Sequence, residues 1–134
     1  MSRRLLLDTG VLIAVERGAL SIERVLSEND DVAIAAITVA ELMVGGELAE
    51  GDHRRRRQAL VDDLLSAMPV EPYGQNAARA HARLLAHVRR VGKPRVAHEL
   101  VIAATAVATG RSVLTADAAA NWTDLPHVAA VAVA

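Results

Sequence analysis

Cysteine and phenylalanine are both missing from this chain of 134 residues, and tryptophan and tyrosine occur once each. Without thiols there can be no disulfide, no thiolate metal site and no cysteine nucleophile. With almost no aromatics, Ala, Val and Leu must fill the core, which suits helices packed closely on a sheet of β-branched residues. Long apolar runs are also missing. No stretch reaches the roughly 18 to 20 apolar residues of a membrane span. The apolar segment after Arg3-Arg4 meets an acid at Asp8, too soon for a signal peptide. The expectation is a cytoplasmic protein with no membrane partner. Neither sign of charge dominates: 15 basic and 16 acidic residues give a formal net charge of -1, so nothing attracts nucleic acid globally.

What is present is apolar enough to fold. Hydrophobic residues make up 52% of the chain, which argues against disorder, and the length suits one domain over residues 1–134. Residues 5–7, 32–36, 68–70, 112–114 and 128–133 read as short strands. Residues 11–17, 21–28, 38–48, 54–65, 76–91 and 98–109 read as helices, the last apolar almost all round and therefore buried between layers. Gly45-Gly46 either breaks the third helix or is carried through it. Strands alternating with helices predict a three-layer α/β/α fold around a mostly parallel five-stranded sheet.

Four acids stand beside apolar runs: Asp8, Glu41, Glu99 and Asp117. Ligands of a parallel sheet bind in the crevice at the carboxyl ends of its strands. Asp8 and Asp117 follow strands directly and belong on that edge, and Glu41 lies about one helical turn beyond it. Glu99 begins the helix that leads to the fourth strand. If that helix runs antiparallel to the strand, the expectation is that Glu99 lies at the end opposite Asp117. Each acid also has a capping role open to it. Thr38-Val39-Ala40-Glu41 matches a capping box, Asp8 and Asp117 can serve as N-caps, and Glu99 suits the positive end of a helix dipole. If the carboxylates share a crevice they repel one another, and a hard cation such as Mg²⁺ or Mn²⁺ relieves the repulsion.

Four segments carry a family resemblance: Leu6-Leu7-Asp8-Thr9-Gly10-Val11-Leu12-Ile13, Thr38-Val39-Ala40-Glu41-Leu42, the run from His98 to Ala106, and Val113-Leu114-Thr115-Ala116-Asp117. In that order, in a chain of this size, they resemble the PIN-domain ribonucleases, and most closely the VapC toxins of bacterial toxin–antitoxin pairs. The resemblance implies a metal-dependent endoribonuclease that hydrolyses RNA phosphodiester bonds. It implies an acidic Mg²⁺ pocket (Mn²⁺ a substitute) of Asp8, Glu41, Glu99 and Asp117, and it places Glu99 where periodicity alone does not. Family members usually carry aspartate at that position, one methylene shorter. The resemblance further implies a homodimer and a cognate antitoxin that covers the pocket. Thr115 matches a family hydroxyl near the last acid, and Asn121 falls where the family often has an acid or Asn. Trp122 reads as packing.

Fourteen of the fifteen basic residues are Arg, the better bidentate partner for phosphate. The run Arg54-Arg55-Arg56-Arg57 is either a solvated helix face or a contact for RNA or an acidic partner. Arg95 is a supporting candidate nearer the acids. His98 reads as a helix cap or an assistant to Glu99. The apolar stripes at 60–65 and 84–91 are either partner contacts or core. Asp8-Thr9-Gly10 imitates the aspartic-protease tripeptide, but the predicted helices contradict the almost wholly β chain that such an enzyme needs. Gly10 stands alone, without a dinucleotide-binding or Walker loop. The alternative function is a PIN-fold binding protein, weak or inactive in catalysis, that recognises an RNA or protein partner.

Overall fold

A computed structural model of the chain describes residues 2–117 and 120–133. Alternation along the strands divides the apolar residues between two faces. In β1 (Arg4–Leu7), Leu6 enters one core with Ala33, Val113 and Trp122, while Leu5 and Leu7 enter the other with Ile34 and Leu114. Because both faces are covered, the strands read as continuous apolar runs.

The chain continues through α1 (Thr9–Glu16), a single turn α2 (Ile22–Val25), β2 (Asp31–Ala35), α3 (Ala36–Leu48) and α4 (Gly51–Ala67). Then come β3 (Val70–Glu71), α5 (Gln75–Val91), α6 (Ala97–Thr109), β4 (Ser112–Thr115), a 3₁₀ turn (Trp122–Asp124) and β5 (Ala130–Ala132). The five strands lie in the order β3-β2-β1-β4-β5, and every pairing is parallel. This is the expected three-layer architecture. Helices α5 and α6 cover one face, with small residues Ala80, Ala103, Ala104 and Ala106 allowing close approach in place of aromatics. Residues of α1 to α4 cover the other. Gly92 and Gly110, at φ 66° and 64°, end α5 and α6 in the left-handed conformation that glycine adopts without strain.

The chain runs from β1 outward through β2 and β3, then returns to the other side of β1 with β4 and β5. The switch point is therefore between β1 and β4, where the Asp8 amide donates to the Leu114 carbonyl at 2.9 Å. A crevice at the carboxyl ends of these two strands is the expected ligand position.

Several local expectations are corrected. Thr38 is not an N-cap. Helix α3 starts directly from β2 with Ala35 at the cap position, and Thr38 is fully buried inside the helix, its hydroxyl 3.2 Å from that of Thr9. Gly45-Gly46 does not break α3. These glycines admit Arg57 from α4, since a Cβ on Gly45 would collide with the guanidinium. The Arg54–57 run is thus not one solvated face. Arg57 is buried and clasps Glu16 with two bonds of 2.7 Å. The stripes at 60–65 and 84–91 are largely core, with Val61, Leu84 and Val88 buried and Leu65 and Val91 exposed at their ends. Exposed apolar side chains gather instead at Met43, Val44 and Leu48 of α3.

Candidate active site

Asp8 occupies the N-cap position of α1 in extended conformation (φ -66°, ψ 146°), but its side chain makes no capping bond of normal geometry. Instead its Oδ2 accepts a hydrogen bond of 3.1 Å from Thr115 Oγ1, at the end of β4. Burial pushes the Asp8 carboxyl above its ordinary range. Thr115 and the Gly10 amide oppose that shift, while the charges of Glu99 and Glu41 add to it. Acids from two distant stretches therefore act on Asp8 at the carboxyl edge of the sheet.

Glu41 reaches this edge from the second turn of α3. Its Oε1 accepts from Thr9 Oγ1 at 2.9 Å, and its Oε2 lies 3.5 Å from His98 Nε2. His98 is thus not the cap of α6, a position held by Val96, and its ring lies beside Glu41.

The expected opposite placement of Glu99 is overturned by its effect on Asp8. The physical reason is helix polarity. The last turn of α6 leads into the amino end of β4, so an antiparallel helix must begin beside the carboxyl end of that strand. The first turn, which carries Glu99, therefore shares an edge with Asp8 and Asp117.

Asp117 follows β4 on an exposed stretch, and its amide donates to Thr115 Oγ1 at 3.0 Å. The Thr115 hydroxyl thereby links Asp8 to the Asp117 backbone. Residues 118 and 119, where Asp117 was expected to cap, lie outside the described residues.

Arg95 borders the acids. Its Nη2 is 4.0 Å from Glu99 Oε2, its Nη1 donates to the Asn121 carbonyl at 3.1 Å, and its guanidinium lies 6.0 Å from the Trp122 ring centre. Asn121 is exposed at φ 51°, so in this structure it serves Arg95 through its backbone. Trp122 is buried in the core.

Sequence reasoning missed Thr9 as the hydrogen-bond partner of Glu41, although its place beside Asp8 in a polar interruption of an apolar run was a signal. It also missed Arg111, which lies at the other edge of the sheet. There Arg111 is buried against Asp31 at 2.9 Å and Glu71 at 3.2 Å, tying together the amino ends of β2 and β4 and the edge strand β3.

The donor set around Asp8 consists of hard carboxylate and hydroxyl oxygens, the chemistry that suits Mg²⁺ or Mn²⁺. Among the described residues no three acids or imidazoles converge closely enough to hold one ion as the side chains stand. A metal would have to draw them together or keep water ligands between itself and some of them. A concavity of about 500 Å³ lies elsewhere, between residues 18–25 and β5. Carboxylate chemistry, not volume, identifies the candidate site.

Comparison with known proteins identifies the family. The family model of the PIN domain matches residues 5–125. Ribonuclease VapC5 of Mycobacterium tuberculosis is 37% identical over 112 residues, covering 83% of this chain and 81% of that protein. Ribonuclease VapC of Rickettsia bellii is 30% identical, with 83% of each chain covered. The crystal structure of the toxin–antitoxin complex VapBC-5 from Mycobacterium tuberculosis contains a chain that superposes with a TM-score of 0.78 at 30% identity, covering 97% of this chain and 98% of that one.

Proposed function

This chain belongs to the PIN-domain family, in its VapC branch, and we propose that it is the toxin of a toxin–antitoxin pair, a Mg²⁺-dependent endoribonuclease acting through Asp8, Glu41, Glu99 and Asp117. The observation that carries the reading is the gathering of carboxylates at the β1/β4 switch point, where Asp8 is held by the Thr115 hydroxyl, Glu41 by the Thr9 hydroxyl, and the charges of Glu99 and Glu41 both bear on Asp8. Acids used only as caps have no reason to gather around Asp8 in this way.

The four acids would hold the metal, directly or through water, with Mn²⁺ as an alternative. Bound there, the ion supplies charge neutralisation at the scissile phosphate and acidifies an attacking water. The chain's own groups prepare that chemistry. Thr115 orients Asp8 and fixes the loop that carries Asp117. Thr9 orients Glu41. Arg95 sets the cationic border beside Glu99 and, through the Asn121 carbonyl, ties down the start of the 3₁₀ turn at Trp122–Asp124. The partners of this function are an RNA substrate, a cognate antitoxin protein and a second copy of the chain in a homodimer, working in the cytoplasm.

A binding protein with little catalysis is the second reading. The observation favouring it is Glu99 leaning toward Arg95 while no three acids converge among the described residues. Purified, antitoxin-free protein incubated with cellular RNA and Mg²⁺ or Mn²⁺, beside Asp8→Asn, separates the two. Metal-dependent cleavage by the parent alone supports the nuclease. Equal cleavage by both proteins ends that assignment, and metal-independent RNA binding with no cleavage favours the binding protein.

A further inference from the structure

The four-arginine run is divided by the fold. Arg54 pairs with Glu47, Arg55 with Asp52 and Arg57 with Glu16. The Arg56 side chain forms no ion pair or hydrogen bond among the described residues, and the same holds for the side chains of Arg17 and His53. These three exposed side chains surround one cleft of about 340 Å³, between the end of α1 and the start of α4, whose floor is the Glu16–Arg57 pair. The cleft's one carboxylate, Glu16, is held below its ordinary pKa first by its bonds to Arg57, and then by the charges of Arg57, His53 and Arg17. Three arginines against one glutamate leave a charge of +2 before His53 is counted, in a chain whose formal net charge is -1.

The cleft is joined to the acidic pocket by one stripe of α1. Gly10 and Arg17, the latter the C-cap residue directly after α1 and still near helical in backbone, are seven residues apart and so fall on one side of the helix; both are exposed, with Ile13 and Ala14 half-buried between them. A Cβ on Gly10 would sit 3.8 Å from Asp8 Oδ2, which places the upper end of the stripe at the candidate reaction centre. The eight residues of α1 span about 12 Å. A polyanion lying along this stripe has its charge held at one end and a backbone bond presented to carboxylates at the other.

We propose that the cleft of Arg17, His53 and Arg56 is a phosphate-binding subsite for single-stranded RNA, holding the backbone that leads away from the scissile bond. This deepens the nuclease reading and rests on it. An acidic protein segment would also be drawn to the cleft, but nothing in that chemistry calls for the link to Asp8. RNA uses both ends of α1.

The test uses the full chain carrying Asp8→Asn, so that binding is read without cutting, and a short labelled single-stranded RNA of random sequence as probe. Affinity is measured across salt concentrations with and without Mg²⁺. Each backbone phosphate neutralised on a single strand contributes about 0.7 to the slope of log K against log salt. Adding Arg17→Ala and Arg56→Ala together is expected to weaken binding and flatten the slope by about 1.4. Both side chains are exposed and unpaired, so the melting temperature stays close to that of the single variant. An unchanged slope overturns the subsite. So does an Arg17- and Arg56-dependent affinity for poly-glutamate without one for RNA, which would make the cleft a protein-binding site. Cleavage by the parent protein is read in parallel. If the parent cuts RNA and the slope does not move, the subsite alone fails; if the parent neither cuts nor binds RNA, the nuclease reading fails with it.

Discussion

Thr115 Oγ1 stands 3.1 Å from Asp8 Oδ2 and also accepts the Asp117 amide at 3.0 Å, so one buried hydroxyl joins the ends of β1 and β4. The hydroxyl has a single proton, and the shorter contact assigns it to Asp8 rather than to the Asp117 carbonyl at 3.4 Å. It is therefore the group that most favours an ionised Asp8 against burial. Thr115→Val keeps the shape and removes the proton. Activity is expected to fall about 10- to 100-fold, the usual cost of losing a group that orients a metal ligand. Stability should drop by about 1 kcal/mol for the lost bonds. Thr115→Ser should recover most of the activity, and full activity in Thr115→Val would remove the hydroxyl from the mechanism.

Asp8→Asn separates a metal ligand from a helix cap. The folded Asp8 carboxyl sits above its ordinary value, so folding disfavours its ionised form. Its contribution to stability is complete below the unfolded pKa and is lost as pH rises through the raised one. At neutral pH the metal-free protein carries that penalty, and the amide relieves it. Asp8→Asn should therefore melt at or above the parent in EDTA. Mg²⁺ should raise the melting temperature of the parent and do so less for the variant. A variant that melts clearly below the parent without metal would show that Asp8 acts as a cap.

The elements most legible in sequence were those set by apolar periodicity. Residues 5–7 and 112–114 could only be buried strands, and acids directly after them had to share the carboxyl edge. Glu99 was misplaced because the direction of a helix between parallel strands was applied from the wrong end, an error of topology rather than pattern. Thr38 was misread because α3 follows β2 without a loop, so the capping signature had no turn to cap. The buried arginines could not be read from sequence, since Arg57 looks like its three neighbours until Gly45-Gly46 is placed beside it. A glycine pair inside a helical pattern was the available sign of close approach.

That approach makes Gly45→Ala a sharp test of the α3–α4 packing. The added methyl meets the Arg57 guanidinium, which has little room because it is clasped by Glu16 and donates to the Leu42 carbonyl at 3.3 Å. A loss of about 1–3 kcal/mol is expected from overpacking. Arg57→Ala should cost more, about 3–5 kcal/mol, because Glu16 is left largely buried without its partner. In Arg57→Ala the added cost of Gly45→Ala should shrink, since the clash has gone. Additive losses in a chemical-denaturation cycle would show that the two positions do not meet.

Acid should loosen the amino edge of the sheet through Asp30. Its carboxylate accepts from Arg3 Nη2 at 2.6 Å and from the Ser27 amide at 2.9 Å, and its side chain is only 1% exposed. The Arg3 hydrogen bonds, followed by the Ser27 amide, hold it far below the ordinary carboxylate value of 3.8, against the effect of burial. Glu16 beside Arg57 and Asp31 beside Arg111 are shifted in the same direction by their arginines. For a lowered pKa the stabilisation is complete above the unfolded value and is lost as pH falls toward the folded one. The stability contributed by these three carboxylates should therefore hold from neutrality down to about pH 5 and then decline steadily as their unfolded forms take up protons, while protonation of Asp8 acts in the opposite sense. Asp30→Asn should melt a few degrees below the parent at neutral pH, and the gap should narrow as the pH drops below the ordinary carboxylate range. A gap that stays constant into acid would mean that Asp30 stabilises through shape and neutral hydrogen bonds, and that its charge, with the Arg3 pair, contributes nothing.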